Sequence, residues 1–328
     1  VRTVAVAATE LEQLCTAVLT AIGMVAADAA FMAGIVVAAD RAGHPSCGVR
    51  QLPGYVARWR TGRVDPAAVP VVDLDAGAVL RVDGRDAFGH LALRTVIDLA
   101  CDRAGRHGIA AVALRRAGHV GRLADFCARG AARGMVVVLF ANDAGGFQDV
   151  APPGGLLPRL ATNPLALGVP RSEAPHLVVD LATSVVARGR LDEERDRGAA
   201  IPAGWLTAAG ALRPFGGVKG FGLALVVEAL AGALTGAGTV RDTPDHDDQG
   251  VLAIAIDVAR LRPLDGFTAE VDRFLAYVTD VPLEPGAAPV RVPGDTTPAD
   301  RVTIARHTWE ALGRVADDLG IARPRPAT

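Results

Sequence analysis

Lys219 is the one lysine among 34 Lys and Arg residues, and glycines crowd it in Gly216-Gly217-Val218-Lys219-Gly220-Phe221-Gly222-Leu223. A surface charge passes freely between Lys and Arg, whereas a compact ammonium at a glycine-stripped turn does something a guanidinium cannot. Three other stretches gather rare polar side chains. Gly43-His44-Pro45-Ser46-Cys47-Gly48-Val49-Arg50-Gln51 holds one of three serines and one of four cysteines. In Gly118-His119-Val120-Gly121-Arg122-Leu123 a histidine stands at a strand-to-helix turn, where unpaired N–H groups and a helix dipole suit a pyrophosphate. Ala161-Thr162-Asn163-Pro164 precedes Asp180-Leu181-Ala182-Thr183-Ser184 and the Arg188-Gly189 pair, and contains one of only two asparagines. Together these residue types favour a site for a nucleotide and a small substrate.

The elements that must carry these stretches follow from periodicity. Thr9-Glu10-Leu11-Glu12 has capping-box spacing, and Leu11, Leu14, Val18, Ile22 and Val25 recur at helical intervals. Helix is expected from there to about Ala42, broken near Gly23. An extended or helical stretch then ends near Gly62. Strands are expected at 78–84, 110–116, 135–142, 176–182 and 251–258, and helices at 89–106 (closed by Gly108), 121–133, 219–235, 267–279 and 298–319. The Gly- and Pro-rich segment 144–170 reads as a long ordered loop. Alternating strands and helices define an α/β class.

Composition excludes several functions. The chain has 328 residues, a net charge of −2, 50% hydrophobic and 4% aromatic content, so it has ample core and no basic stripe for nucleic acid. The longest apolar run, Phe221 to Thr235, is interrupted by Glu228 and reads as a buried helix rather than a membrane span. Cys15, Cys47, Cys101 and Cys127 show no zinc or C-x-x-C spacing and the histidines are dispersed, so no metal site is expected and a reducing cytoplasm is. Neither G-x-G-x-x-G after a strand nor a P-loop occurs.

The chain resembles the malate/L-lactate dehydrogenase family from about Thr9 to Gly320. The resemblance rests on the loop before Leu52-Pro53-Gly54-Tyr55, the Gly118–Leu123 turn, Ala161-Thr162-Asn163-Pro164, Asp180–Ser184 and Gly216–Leu223. It implies a non-Rossmann NAD(P)-binding α/β fold, which suits the missing fingerprint. It also implies a helical subdomain from residues 1–75 and 296–328, an α/β cofactor- and substrate-binding region over 76–295, and a homodimer. By the same resemblance Ser46, Cys47 and His119 take catalytic positions. His44, Gln51, Thr162, Arg188 and Gly189 take substrate positions. His119, Val120, Gly121, Arg122, Leu123, Asn163, Asp180, Leu181, Ala182, Lys219, Arg291, Pro293 and Gly294 contact NADH or NADPH, a choice that thirty-three arginines obscure.

Two departures bear on the reaction. The family pattern Ser-His-Gly-Val-x-Arg reads Ser46-Cys47-Gly48-Val49-Arg50-Gln51, so the proton-donating histidine is a cysteine and the carboxylate-clamping arginine a glutamine. Arg50 stands one position early, and neighbouring residues point differently. Reduction of a ketone needs an acid worth about 10²–10⁴ in rate. An iminium already carries its proton. The expected activity is therefore NAD(P)H-dependent reduction of a specialised substrate, with C=N preferred to C=O. His44 stands three residues from Cys47 as either a displaced donor or a solvated loop residue, and His119 is a further candidate donor. An ordinary 2-hydroxy-acid dehydrogenase and a retired nucleotide-binding homologue are the alternatives.

Overall fold

The computed structural model describes residues 3–144, 146, 148–240, 248–295 and 299–324. Strand β1 (Thr3–Ala7) leads straight into α1 (Ala8–Ala21), then α2 (Ala26–Arg41), two 3-10 turns (Pro45–Cys47 and Val49–Gln51) and α3 (Leu52–Arg60). Leu11, Leu14 and Val18 are buried, as their spacing requires. Thr9 is no cap, however. The capping position falls on Ala7, at the end of β1, and makes no side-chain bond.

An edge strand β2 (Val71–Ala76) opens the main sheet, followed by β3 (Val79–Ala87), α4 (Gly89–His107), β4 (Ile109–Ala117), α5 (Ala124–Ala131) and β5 (Met135–Asp143). Next come β6 (Leu165–Val169), β7 (Leu177–Leu181), α6 (Arg188–Asp196), α7 (Val218–Val227) with a π-helical continuation over Glu228–Ala233, β8 (Gln249–Asp257) and α8 (Leu264–Thr279). Gly108 closes α4 at φ 85°, the left-handed C-terminal stop that glycine adopts without strain. The chain ends in β9 (Arg301–Ala305) and α9 (Arg306–Asp318). The helix expected over 298–319 is thus a strand and then a helix, and residue 298 lies outside the described residues.

The main sheet runs β2-β3-β4-β8-β5-β6-β7, with β3 and β4 parallel and the other neighbours antiparallel. Its core includes Leu80, Leu93, Ile97, Leu114, Phe126 and Leu139. A second core joins both ends of the chain: β1 pairs with β9, and Val4, Val6, Leu11, Met32, Tyr55, Ile304, Trp309 and Leu312 cluster around them. We propose these two cores as the two units of the chain. In this proposal the edge strand β2, which spans the boundary expected at 75, goes with the larger sheet. Residues 1–2, 296–298 and 325–328 of the expected terminal unit lie outside the described residues.

Register decides where the site forms. Ala117 at the end of β4 faces Gln249 at the start of β8, and Asp143 at the end of β5 faces the same Gln249. Phe140 faces Leu165, and Leu165 faces Leu181. The turn after β4, the end of β5, the approach to β6, the exit of β7 and the start of β8 therefore share one edge of the sheet.

Candidate functional site

Two adjoining clefts open at that edge, of about 390 and 560 Å³. Ser46, Cys47, His119, Thr162, Pro164, Ala187 and Gln249 line both, so they form one groove with a shared middle. The smaller cleft adds Arg50, Gln51, Arg58, Asp149, Asn163, Arg188 and Gly189 among others. The larger adds His44, Val120, Gly121, Arg122, Leu123, Asp180, Leu181 and Ala182, together with Val185, Val186 and Phe215. Residues from three of the four stretches are thus brought to one groove, while two expected parts of the site are not.

The exceptions are Lys219 and the 291–294 segment. Lys219 is exposed at the start of α7 and lines neither cleft; Gly216 and Gly217 face a separate recess with Pro152, Pro153 and Arg213. Pro293 accepts from Val178 N–H at 3.1 Å, so the segment Arg291–Gly294 lies along β7 instead of at the groove. A Cβ on Gly294 would come within 2.4 Å of the His176 carbonyl, which explains that glycine by packing.

The turn after β4 also differs from its sequence reading. Two of its backbone donors are already taken. Val120 N–H donates to Gln249 Oε1 at 2.9 Å and Ala124 N–H to Asp180 Oδ2 at 2.9 Å. Asp180 thus occupies the first turn of α5, where a carboxylate complements the dipole. Burial nevertheless raises its pKa.

The middle of the groove is set by the 3-10 turns after α2. Asp40 Oδ2 accepts from Val49 N–H at 2.8 Å, and a Cβ on Gly48 would sit 2.3 Å from that carboxylate, so only glycine fits. Gly189, at the start of α6, likewise leaves no room: its Cβ would meet Ser46 Cβ at 2.0 Å. These two contacts hold Ser46 and Cys47 between α2 and α6. Gln51 Nε2 donates to the Ser46 carbonyl at 2.6 Å and so braces the loop rather than offering its amide to the groove. Arg50 lines the smaller cleft but pairs with Asp196 at 3.1 Å. Arg188 is bound by Asp149 and by Asp192. His44 is exposed at the rim of the larger cleft.

Burial neutralises the proton-carrying groups in the middle. It pushes the Cys47 thiol up to about 12, with the Asp180 carboxylate adding to the effect against a hydrogen bond from Ser46. It pushes the His119 imidazole down to about 4, with the Arg58 guanidinium in the same direction. His119 Nδ1 lies 2.7 Å from the Tyr55 hydroxyl. Arg58, which lines the smaller cleft, and Tyr55, which contacts His119 from behind it, were not expected from the sequence. They follow Leu52-Pro53 on α3, and nothing in their spacing marks them.

A second unanticipated feature is Glu228, buried at the start of the π-helical turn. It accepts from Asn163 Nδ2 at 2.8 Å, Asn142 Nδ2 at 3.2 Å and Val240 N–H at 2.6 Å. Both asparagines of the chain are therefore held by one carboxylate. Asn163 is fully buried and lines only the smaller cleft. The sequence did carry a signal: Glu228 is the single acid in the apolar run from Phe221 to Thr235.

Asp40 supplies a pH-dependent expectation. Burial, with Glu193 nearby, pushes it up to about 7 against the Val49 N–H bond. A carboxyl whose folded pKa exceeds its unfolded value stabilises fully below the unfolded pKa and loses that contribution as pH rises through the folded one. Asp40→Asn keeps an acceptor for Val49 and carries no charge. It is expected to stabilise the protein by about 1–3 kcal/mol at pH 8, with a smaller gain at pH 5. Thermal melts at the two pH values check this; an equal gain at both would refute it.

The fold is a mixed sheet with a long groove across one edge, and the comparisons say which family it belongs to. A malate/L-lactate dehydrogenase family model matches residues 6–310. The chain is 34% identical to the L-lactate dehydrogenase of Cupriavidus necator, covering 96% of this chain and 98% of that one. It is 35% identical to delta(1)-pyrroline-2-carboxylate reductase 1 of Burkholderia ambifaria, covering 82% and 85%. The malate dehydrogenase structure from Entamoeba histolytica superposes with a TM-score of 0.92 at 22% identity, covering 99% and 100%, and shares the fold. The chain belongs to the malate/L-lactate dehydrogenase family and is an oxidoreductase. No helix among the described residues is long and apolar enough to cross a membrane.

Proposed function

We propose that this protein is an NAD(P)H-dependent reductase that acts on a C=N bond in preference to C=O. One observation carries the reading. Cys47 and His119 are the groups in the middle of the groove that could hand over a proton, and burial holds them near 12 and 4. At neutral pH neither is a ready acid. Hydride addition to the carbon of a protonated imine sends the π pair to nitrogen and gives a neutral amine, so the protein supplies no proton. The same addition to a ketone gives an alkoxide, which must be protonated. The pyrroline-carboxylate reductase relative supports the first chemistry.

The larger cleft fits a nicotinamide dinucleotide in the character of its lining. Val120, Leu123, Leu181, Val185, Val186 and Phe215 offer apolar surface to planar rings, and Arg122 offers a guanidinium to phosphate. A nicotinamide bound there supplies the hydride. Thr162, Ala182 and Gln249 would hold and orient it, and Val120 and Leu123 would exclude water. In the smaller cleft Arg58 and Arg188 would meet a substrate carboxylate, the task the family assigns to the position of Gln51.

Those arginines also favour a second reading, a 2-hydroxy-acid dehydrogenase, because a 2-oxo acid carries the same carboxylate. A panel of cyclic imine carboxylates and 2-oxo acids, each with NADH and NADPH, separates the two. Cyclic imine turnover at kcat/KM about 10²-fold above pyruvate or oxaloacetate is expected. Equal or faster reduction of the 2-oxo acids would overturn the preference, and no turnover of any substrate by a protein that still binds ligand would mark a retired homologue. We further propose a homodimer. Val218, Leu225 and Val226 on α7 are 72%, 47% and 49% exposed, an apolar face that a second copy would cover. Sedimentation velocity decides it.

A further inference from the structure

We propose that Tyr55 is a positioning residue of this site: by donating to Nδ1 of His119 it fixes the imidazole as the neutral Nε2–H tautomer, so that His119 offers the groove a donor and never an acceptor. The proposal rests on the reading of the Cys47–His119 region as the reacting centre, and deepens it.

The argument begins with the hydroxyl proton. Tyr55 is 2% exposed, and its Oη lies 2.7 Å from His119 Nδ1. Among the described residues Tyr55 Oη has no other hydrogen-bond partner. His90, packed edge-on with its centroid 5.6 Å away, makes no hydrogen bond through either ring nitrogen. Were Nδ1 the donor, the buried phenol proton would have no acceptor, an arrangement folded proteins avoid. The phenol therefore donates, Nδ1 accepts, and the single proton of the neutral ring resides on Nε2. Burial raises the Tyr55 pKa far above its ordinary value, which keeps it a donor.

Packing keeps the ring from turning over. Tyr55 stands against Phe88 at 6.0 Å and His119 at 6.0 Å, and His90 lies 6.1 Å from His119 at an interplanar angle of 69°. His90 in turn is wedged against the turn, since a Cβ on Gly121 would fall 2.3 Å from its Nε2. With the Nδ1 edge held on Tyr55, the opposite edge of His119 is the one left to the two clefts that it lines.

A fixed donor selects its ligand. It pairs with an oxygen lone pair, such as a carboxylate or carboxamide oxygen, and it repels the N–H of an iminium. The substrate is thereby oriented with an oxygen on His119 and its C=N–H group turned elsewhere. A tautomer with a free Nε2 lone pair would accept that N–H and reverse the pose.

The test uses the full chain labelled with ¹⁵N-histidine. His119 resonances are identified by their loss in His119→Gln. The wild type is expected to show the Nε2–H pattern, and Tyr55→Phe, which keeps the ring and its packing, a shift towards Nδ1–H. In that variant kcat on a cyclic imine carboxylate is expected to fall at least about tenfold, with KM within about threefold and an unchanged melting temperature. An Nδ1–H pattern in the wild type, or an unchanged pattern in Tyr55→Phe, would overturn the proposal. The wild-type spectrum alone distinguishes the two tautomers even if the variant does not fold. Should the tautomers behave as expected while the wild type reduces no cyclic imine, Tyr55 keeps its role and the imine reading falls.

Discussion

Replacing Cys47 with histidine is expected to raise kcat/KM for 2-oxo acids by about 10²-fold while changing cyclic imine reduction by no more than about threefold, because only the ketone needs a general acid. Cys47 stands in the shared middle of the two clefts, beside Ser46 and on a loop that Asp40 and Gly189 hold in place. A thiol pushed up to about 12 holds its proton too tightly to protonate an alkoxide during a catalytic step. An imidazolium at the same position is a far stronger acid than the thiol, and burial and Arg122 would lower its pKa further. The gain should therefore be greatest at mildly acidic pH. Parallel steady-state kinetics on pyruvate and on a cyclic imine carboxylate, at pH 6 and pH 8, give the answer. A variant with equal gains on both substrates would show that position 47 acts through binding. No gain on the ketone would show that the missing histidine is not what disfavours it.

The second large effect is expected at Glu228. Glu228→Ala strips a buried carboxylate from the Val240 N–H and from two asparagine amides, which keep only their bonds to the Gly238 and Ala224 carbonyls. Close packing limits repair: Gly232 would put a Cβ 2.5 Å from Asn142 Nδ2, and Gly250 a Cβ 2.0 Å from the Ala231 carbonyl. The expected loss is about 3–5 kcal/mol, read as a lower denaturant midpoint with an unchanged slope. Asn142 and Asn163 both line the smaller cleft, so turnover should fall further than the folded fraction does. Glu228→Gln keeps the shape but sets an amide N–H₂ against one asparagine donor, so it should fall between the two. A Glu228→Ala protein as stable as the wild type would mean that the carboxylate is not what organises this wall.

Much of the fold was legible. Apolar spacing gave α1, α2, α4 and the central strand β8, whose near-continuous apolar run follows from its place between β4 and β5. The elements that periodicity did not reveal have physical reasons for their silence. Strands β1 and β9 are five residues each and acquire meaning only by pairing across almost the whole chain. The helix α6 buries little beyond Leu191 and Glu193, so it has no apolar stripe to read. Strand β6 lies within a segment whose glycines and prolines mark it as loop.

Of the site, the residue types were legible and their partners were not. The clustering of His119, Thr162 and Asp180 follows from where the strands end, whereas the Ser46–Cys47 pair joins them through tertiary contacts of the turns after α2. Lys219 stood out by its scarcity, yet it is exposed and away from the groove. Scarcity measures codon pressure as well as need, and says nothing of position in space. Two of the donors expected to be open after β4, the N–H groups of Val120 and Ala124, are taken by Gln249 and Asp180, residues 129 and 56 positions from their partners. Tyr55 reaches His119 across 64. By itself, then, the sequence determined the family, the local elements and which side chains could do chemistry. Only the tertiary structure decided which of those groups keep a proton and which backbone donors remain free. Both depend on burial and on neighbours met through space, and spacing along the chain carries neither.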